Sequence, residues 1–373
     1  VKVSRRAFAV GVAAAAITVL APAANAVAGP IELAPRPGDT YSGVEAINDR
    51  GTVVGESYPR DVRILYHPMK WSATGSVTAL PTLGGALGQA VAIDGDDVVV
   101  GWAEDAHGAQ RAVRWAADGT VTRLADTGVS SNASAISDTG RIVGASYDGV
   151  ISHALLWERD GRVRELPGLP GGGSAFADKI TPDGRTIAGA AADAAGHTHL
   201  VRWDERGRIT DLTPDGEYGT VAGISRDGAI IGSRTLPGGS SVAKRWDPSG
   251  RVVTLGGTAA PSSGQAMGIS DNGTVVGLVD PDFGGSYATR WDRAGHPTYL
   301  PSDTRNATAH AINRSGTIAG QAEGVGARWA PDGTRTRLDP LPGHTSASAL
   351  LINSRGLTAG MSYGDIWRGA IWR

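Results

Sequence analysis

The sequence predicts an all-β fold: an eight-bladed β-propeller of four-stranded antiparallel blades, with the last blade closed by the N-terminal strand. Three observations predict it. A unit of roughly 43 residues recurs eight times. Each unit reads as four short strands separated by glycine- and aspartate-bearing turns. The eighth unit lacks a last strand, and a segment near the N-terminus matches what is missing. Radial repetition of four-stranded units is how a propeller protects its sheet edges.

The repeat is anchored by an isoleucine at Ile47, Ile93, Ile136, Ile180, Ile224, Ile269, Ile312 and Ile352. A glycine follows at Gly55, Gly101, Gly144, Gly189, Gly232, Gly277, Gly320 and Gly360. A tryptophan comes later in every copy, at Trp71, Trp115, Trp157, Trp203, Trp246, Trp291, Trp329 and Trp372. After the first seven tryptophans a glycine recurs at a fixed offset, from Gly75 to Gly333, and then a leucine, from Leu80 to Leu338. Coincident pairs at fixed offsets do not arise by chance.

Within a copy, the first strand ends at the isoleucine and the second is the Val-Val-Gly segment. The third ends at the tryptophan and the fourth at the leucine. Runs rich in Val, Ile, Trp and Thr between Gly and Asp turns favour strands, and no stretch after residue 26 sustains a helical apolar period. The first turn is Asn48-Asp49-Arg50-Gly51 or its equivalent, the composition of a tight hairpin with glycine at positive φ. The second copy has Asp97 in that glycine slot, which aspartate tolerates. Turn chemistry accounts for these acidic turns without calcium. The tryptophans are expected to wedge between blades. The basic residues before six of them (Lys70, Arg114, Arg202, Arg245, Arg290 and Arg328) are expected to pack their stems between blades and meet turn aspartates. The eighth copy reaches only Trp372, and Ile31-Glu32-Leu33-Ala34-Pro35 is similar to Val163-Arg164-Glu165-Leu166-Pro167. The N-terminal segment should therefore complete the last blade.

Residues 1–26 read as a signal peptide and residues 27–373 as one propeller domain. Ser4-Arg5-Arg6-Ala7-Phe8 precedes an Ala-rich apolar run, and Ala24-Asn25-Ala26 offers a cleavage site. The paired arginines resemble the bacterial twin-arginine export signal, and Pro22 cuts the run short of a membrane span. A secreted, extracellular, monomeric protein is expected, with the twin-arginine machinery as its transient partner. The sequence contains no cysteine, which excludes disulfides, Cys-ligated metal and a Cys nucleophile. Its charge is nearly balanced, with 35 basic and 37 acidic residues, so neither nucleic acid nor a membrane contact of the mature form is expected.

Words such as His153-Ala154-Leu155-Leu156-Trp157 and Ala46-Ile47-Asn48-Asp49 resemble the bacterial HAF family of extracellular repeat proteins, named for a His-Ala-Phe triplet before the tryptophan. The resemblance covers essentially all of residues 27–373. Here Leu155 replaces the triplet's Phe, and His stands four before Trp only at His67, His153 and His199. The resemblance implies secretion and the propeller fold, and no reaction or ligand.

The longer connections, second to third strand and fourth strand to next blade, should emerge together on one face. Loops on a rigid scaffold carry function, so this face is the expected site. It would gather Tyr58, Trp102, His107, Tyr147, Tyr287, Tyr363 and Trp367 as ligand-binding candidates, along with carboxylates and loop residues such as Asp61, Asp148 and Phe283. Rings and carboxylates suit glycan, peptide or cell-envelope ligands. His197 and His199 could form a zinc pair, but no third ligand is assignable, and neither a metal nor a cofactor is expected. No nucleophile elbow, phosphate loop or metalloprotease motif occurs. Eight blades also resemble quinoprotein dehydrogenases, but the Ala-x-Asp-x-x-Thr-Gly-x-x-x-Trp docking pattern is missing. The regularity of the copies therefore leads to the expectation of a non-catalytic binding or scaffold propeller rather than an enzyme. The alternative is an extracellular hydrolase, lyase or quinoprotein-like enzyme using the channel mouth.

Overall fold

In the computed structural model, which describes residues 29–60, 65–214, 219–235, 241–256, 263–282 and 284–373, the strands form eight four-stranded antiparallel sheets. The signal-peptide segment, Asp61 and Phe283 lie outside the described residues. Each repeat becomes one blade with its strands in chain order. In the first blade these are Tyr41–Ile47, Val53–Tyr58, His67–Trp71 and Val77–Ala79. The first strands of successive blades contact one another all the way round, including the last against the first, so they line a central channel and the ring is closed.

Closure is made as the sequence predicts. Ile31–Leu33 joins the last blade as its outermost strand, pairing with Trp367–Trp372 so that Leu33 faces Gly369. Leu33 is fully buried, and Ser42 Oγ of the first blade donates to its carbonyl at 2.6 Å.

The repeated tryptophans tie each blade to the one before. Trp115 Nε1 donates to the Pro81 carbonyl at 2.7 Å, and Trp157 to Ala125 at 2.6 Å. Trp71 donates to Ala34 at 2.7 Å across the closing seam. The acceptor is the residue after the preceding blade's outer leucine, except that Trp246 bonds Leu212 itself. A buried indole N–H needs such a partner, and the repeat supplies one in each blade.

The basic residues before the tryptophans behave differently from expectation. Their heads bond backbone carbonyls in the next blade: Lys70 to Ala117, Arg202 to Pro248, Arg290 to Pro331 and Arg328 to Arg373. Arg245 also forms a direct ion pair with an aspartate, Asp247 at 2.8 Å, while Lys70 and Arg114 act on the turn aspartates Asp118 and Asp94 through charge alone. The third-to-fourth turn presents its carbonyls toward the neighbouring blade, and these satisfy a cation without a carboxylate. The first turns form a parallel set of ties. Asn313 Nδ2 donates to the Asn353 carbonyl, Asn353 to Asn48, and Asn48 to Asp94, which links blades seven, eight, one and two.

The glycine of the second strand has a cause that periodicity alone does not reveal. In all eight blades the first strand carries a β-bulge, so that two of its residues face one on its neighbour. The bulge lays a first-strand carbonyl directly over the glycine. At Gly144 an added Cβ would overlap the Asn132 carbonyl and lie 2.9 Å from Ala133 Cα. Both are backbone atoms, which cannot move aside without breaking the ladder. Gly144→Ala is accordingly expected to destabilise the fold by roughly 3 kcal/mol, read as a lower urea midpoint at unchanged slope.

Candidate functional site

The bulge also places the channel side chains. Its extra residue in blades one to eight is Glu45, Val91, Ser134, Asp178, Ala222, Met267, His310 and Leu350. The next residue is small or aliphatic in every blade but the fourth, which has Lys179. Most of this inner ring is therefore uncharged, and its ionisable members are confined to Glu45, Asp178, Lys179 and His310.

Glu45 is joined by Glu56, which follows the second-strand glycine of the same blade. Gln89 of the next blade stands between them: its amide donates to Glu45 Oε1 and to Glu56 Oε2, both at 3.3 Å. Trp102 Nε1 donates to Gln89 Oε1 at 3.3 Å, which fixes the orientation of the amide. The two carboxyls have different surroundings. Glu56 is only 8% exposed, whereas Glu45 is open to the channel. Gly43 has no side chain, and an added Cβ there would overlap the Glu56 carboxyl.

These surroundings set the proton affinities. Burial first, and then the neighbouring Glu45 charge, push Glu56 up to about 7, against a lowering pull from Gln89. Burial also raises Glu45, but the Lys179 ammonium opposes that rise. Asp178 is raised by burial and opposed by Lys179 in the same way. His310 is pushed down to about 4 by burial, so it is neutral at pH 7; its Nε2 meets Ser348 Oγ at 3.2 Å. The pair thus contains one carboxyl whose rise is held back by a neighbouring ammonium and one that exchanges its proton near neutrality, unlike groups of the kind acid–base chemistry needs. Replacing Gln89 by Met should raise Glu56 further, because it removes a donor to the carboxylate. Carboxyl 13C NMR titration reads that shift, and an unchanged Glu56 midpoint would sink the assignment.

Of the residues singled out from the sequence, Trp102 reaches this network. Tyr58 and Trp367 come together across the seam of blades one and eight. Tyr41 stacks on both, at 5.3 Å and 4.3 Å between centroids, and Trp367 Nε1 donates to Tyr58 Oη. Tyr363 pairs with Trp367 across the last blade. Tyr147 is 41% exposed and donates to the Gly149 carbonyl. Tyr287 stacks on Tyr299 at 4.9 Å beneath Arg305, and His107 sits exposed in a turn. The candidates therefore fall into separate places around the ring rather than one site. His197 is exposed, while His199 is buried between the carboxylates of Asp193 and Asp211. His67 and His153, at the same repeat position, also pair with acids, Asp39 and Asp148 with Glu165. Among the described residues no group of three or more His, Asp or Glu could hold a metal ion. At the short-turn end, the channel mouth is a cavity of about 320 Å³ ringed by first-turn residues including Asp49, Asp138 and Asp271.

Sequence reasoning missed Glu45, Glu56, Gln89, Asp178, Lys179 and His310. The signal was available: with the copies aligned on the isoleucine, Glu45, Asp178 and His310 share one column two residues before it.

No family model matches the chain, and no curated protein does. Solved structures do. A puromycin hydrolase mutant complexed with PGG is 16% identical with a TM-score of 0.50, over 88% of this chain and 59% of that one. A streptogramin B lyase is 15% identical with a TM-score of 0.49, over 79% and 95%. An oligogalacturonate lyase in complex with manganese is 10% identical with a TM-score of 0.47, over 74% and 85%. At these identities the likeness is one of fold, and the chain spans about 59% of the length of the puromycin hydrolase. The expectation of a non-catalytic scaffold rather than an enzyme is corrected accordingly: a puromycin hydrolase has this fold, so the regularity of the copies gives no ground for excluding catalysis. The physical reason is local. The regularity of the copies belongs to the Ile, Gly and Trp positions that pack blades, while the channel column is free to vary without disturbing them.

Proposed function

We propose that the chain is a secreted hydrolase that works inside its central channel, with Glu56 as general acid and Glu45 as general base. The observation that carries this reading is the Gln89 amide held between two carboxyls of unlike environment, one buried and one open to the channel. Glu56 gives its proton to the leaving atom as the scissile bond breaks. A water molecule attacks the carbon or phosphorus so freed and loses its proton to Glu45, so that one water is consumed per bond. Trp102 and Gln89 position the acid, and Lys179 favours the ionised form of the base. Secretion by the twin-arginine route and membership of the HAF-type repeat proteins belong to the same proposal, supported by Arg5-Arg6 and by words such as His153-Ala154-Leu155-Leu156-Trp157 and Ala46-Ile47-Asn48-Asp49.

The test is incubation of the full chain with a library of chromogenic glycosides, esters and amides in 18O-labelled water. Hydrolysis places one solvent oxygen in a product. An unsaturated product without label would replace hydrolysis by elimination with Glu45 or Glu56 as the base. Turnover that is unchanged in Glu56→Gln, or absent across the library, would overturn the proposal.

A further inference from the structure

The fourth blade departs from the repeat at three neighbouring positions of its inner strand Ala175–Ile180: Phe176, Asp178 and Lys179. The place of Phe176 is taken in the other blades by glycine, serine, threonine, asparagine or glutamine. That position faces the lumen, as its equivalents show. Gln89 there reaches Glu45 at the bulge of the preceding blade, and Ser348 there reaches His310 at the bulge of its own predecessor. The flanking Ala175 and Ala177 are buried in the core between blades three and four. Phe176 points the other way and is 40% exposed.

We propose that Phe176, Asp178 and Lys179 form a sugar-binding subsite, in which the C–H face of a pyranose lies on the phenyl ring and its hydroxyls meet the carboxylate and the ammonium. The inference rests on the acid–base reading above for what happens to that sugar, and names the substrate of that reaction as a glycoside. An apolar ring left to water forfeits the free energy of burial, which a sugar's apolar face recovers. Asp178 offers only acceptors and Lys179 only donors. Hydroxyl groups both donate and accept, so one neutral polyhydroxylated ring satisfies the two together. A ligand with a net charge would meet one of them with its own sign. Among the described residues no hydrogen bond or ion pair engages Lys179; it acts electrostatically on Asp178 beside it and on Glu45. The same ammonium therefore serves both the subsite and the catalytic base, which places the bound ring beside the carboxyl pair.

The chain is suited to a direct test because the two reporters are rare. Its phenylalanines are Phe8, Phe176 and Phe283, and its lysines Lys2, Lys70, Lys179 and Lys244. Full-length protein labelled with 13C in the Phe rings and at Lys Cε is titrated with cellotriose, xylotriose, maltotriose and triacetylchitotriose, with acyclic sorbitol as the control. At least one trisaccharide is expected to move the Phe176 and Lys179 signals along one saturating curve while sorbitol does not. Phe176→Leu should weaken that binding at least tenfold and Phe176→Tyr retain it. No joint shift with any trisaccharide, an equal response to sorbitol, or full binding by Phe176→Leu would overturn the subsite. Glu56→Gln separates the two proposals: it should keep the shifts and lose cleavage of the bound trisaccharide. Binding without cleavage by the wild type overturns the hydrolase and leaves the subsite standing; cleavage without a Phe176 shift does the reverse.

Discussion

A chain lacking residues 30–36 is expected to lose its single cooperative unfolding transition and to aggregate at concentrations where the intact protein stays in solution. The segment supplies the outermost strand of the last blade, paired with Trp367–Trp372 through Leu33 and Gly369. Without it, the strand ending at Trp372 presents unpaired N–H and C=O groups along a fresh edge, the template on which chains add to one another. Three further losses fall on the same seam. The Leu33 side chain, fully buried, takes with it about 2–3 kcal/mol of burial. The Trp71 indole loses its Ala34 acceptor, and the buried Ser42 hydroxyl loses the Leu33 carbonyl. Light scattering and urea titration read the outcome. Leu33→Ala in the full chain is the milder companion, expected to cost about 2–5 kcal/mol without opening the edge. An unfolding midpoint indistinguishable from wild type in the deletion would mean that the seam is not held by this strand.

That closing strand was legible in the sequence because it repeats the spacing of every other outer strand. The same holds for the hairpins, whose glycines sit at positive φ (84° at Gly51, 80° at Gly140), with Asp97 at 63° as the expected exception. What packs blades must recur in each blade, so self-similarity exposes it. The heads of Arg202 and Arg290 depart from the expectation because their partners are backbone carbonyls, which no residue letter announces. The carboxyl pair was missed for the complementary reason. Glu45 and Gln89 meet only when two consecutive blades are curled around an axis, and a β-bulge decides that Glu45 looks into the channel rather than into a blade interface. A search for aromatic residues on long loops found Tyr58 and Trp367, which pack in the seam between blades one and eight, and found Trp102, which donates to Gln89 beside the carboxyl pair.

Glu56→Gln should separate catalysis from stability, because the two are expected to move in opposite directions. As the general acid, Glu56 must carry a proton, so wild-type turnover should fall as pH rises through about 7, and the amide should lower turnover by about 10²–10⁴-fold. For stability the sign is fixed by the raised proton affinity. The folded protein holds the Glu56 proton more tightly than the unfolded chain does, whose carboxyl titrates near 4.5. The stabilisation from that proton is complete below pH 4.5 and is lost as pH rises to about 7. Above that, a buried charge remains that weakens the fold by an amount on the order of 3 kcal/mol. Glutamine fills the same space, keeps a polar group beside Gln89 and carries no charge, so the variant should be the more stable protein at pH 8 and differ least at pH 4. Retaining an ionisable group where a neutral one would stabilise is what a catalytic requirement looks like in a buried position. A variant that is inactive and also less stable across the whole pH range would instead make Glu56 a structural residue, joined to Gln89 for packing alone, and the acid would have to be sought among Glu45 and Asp178.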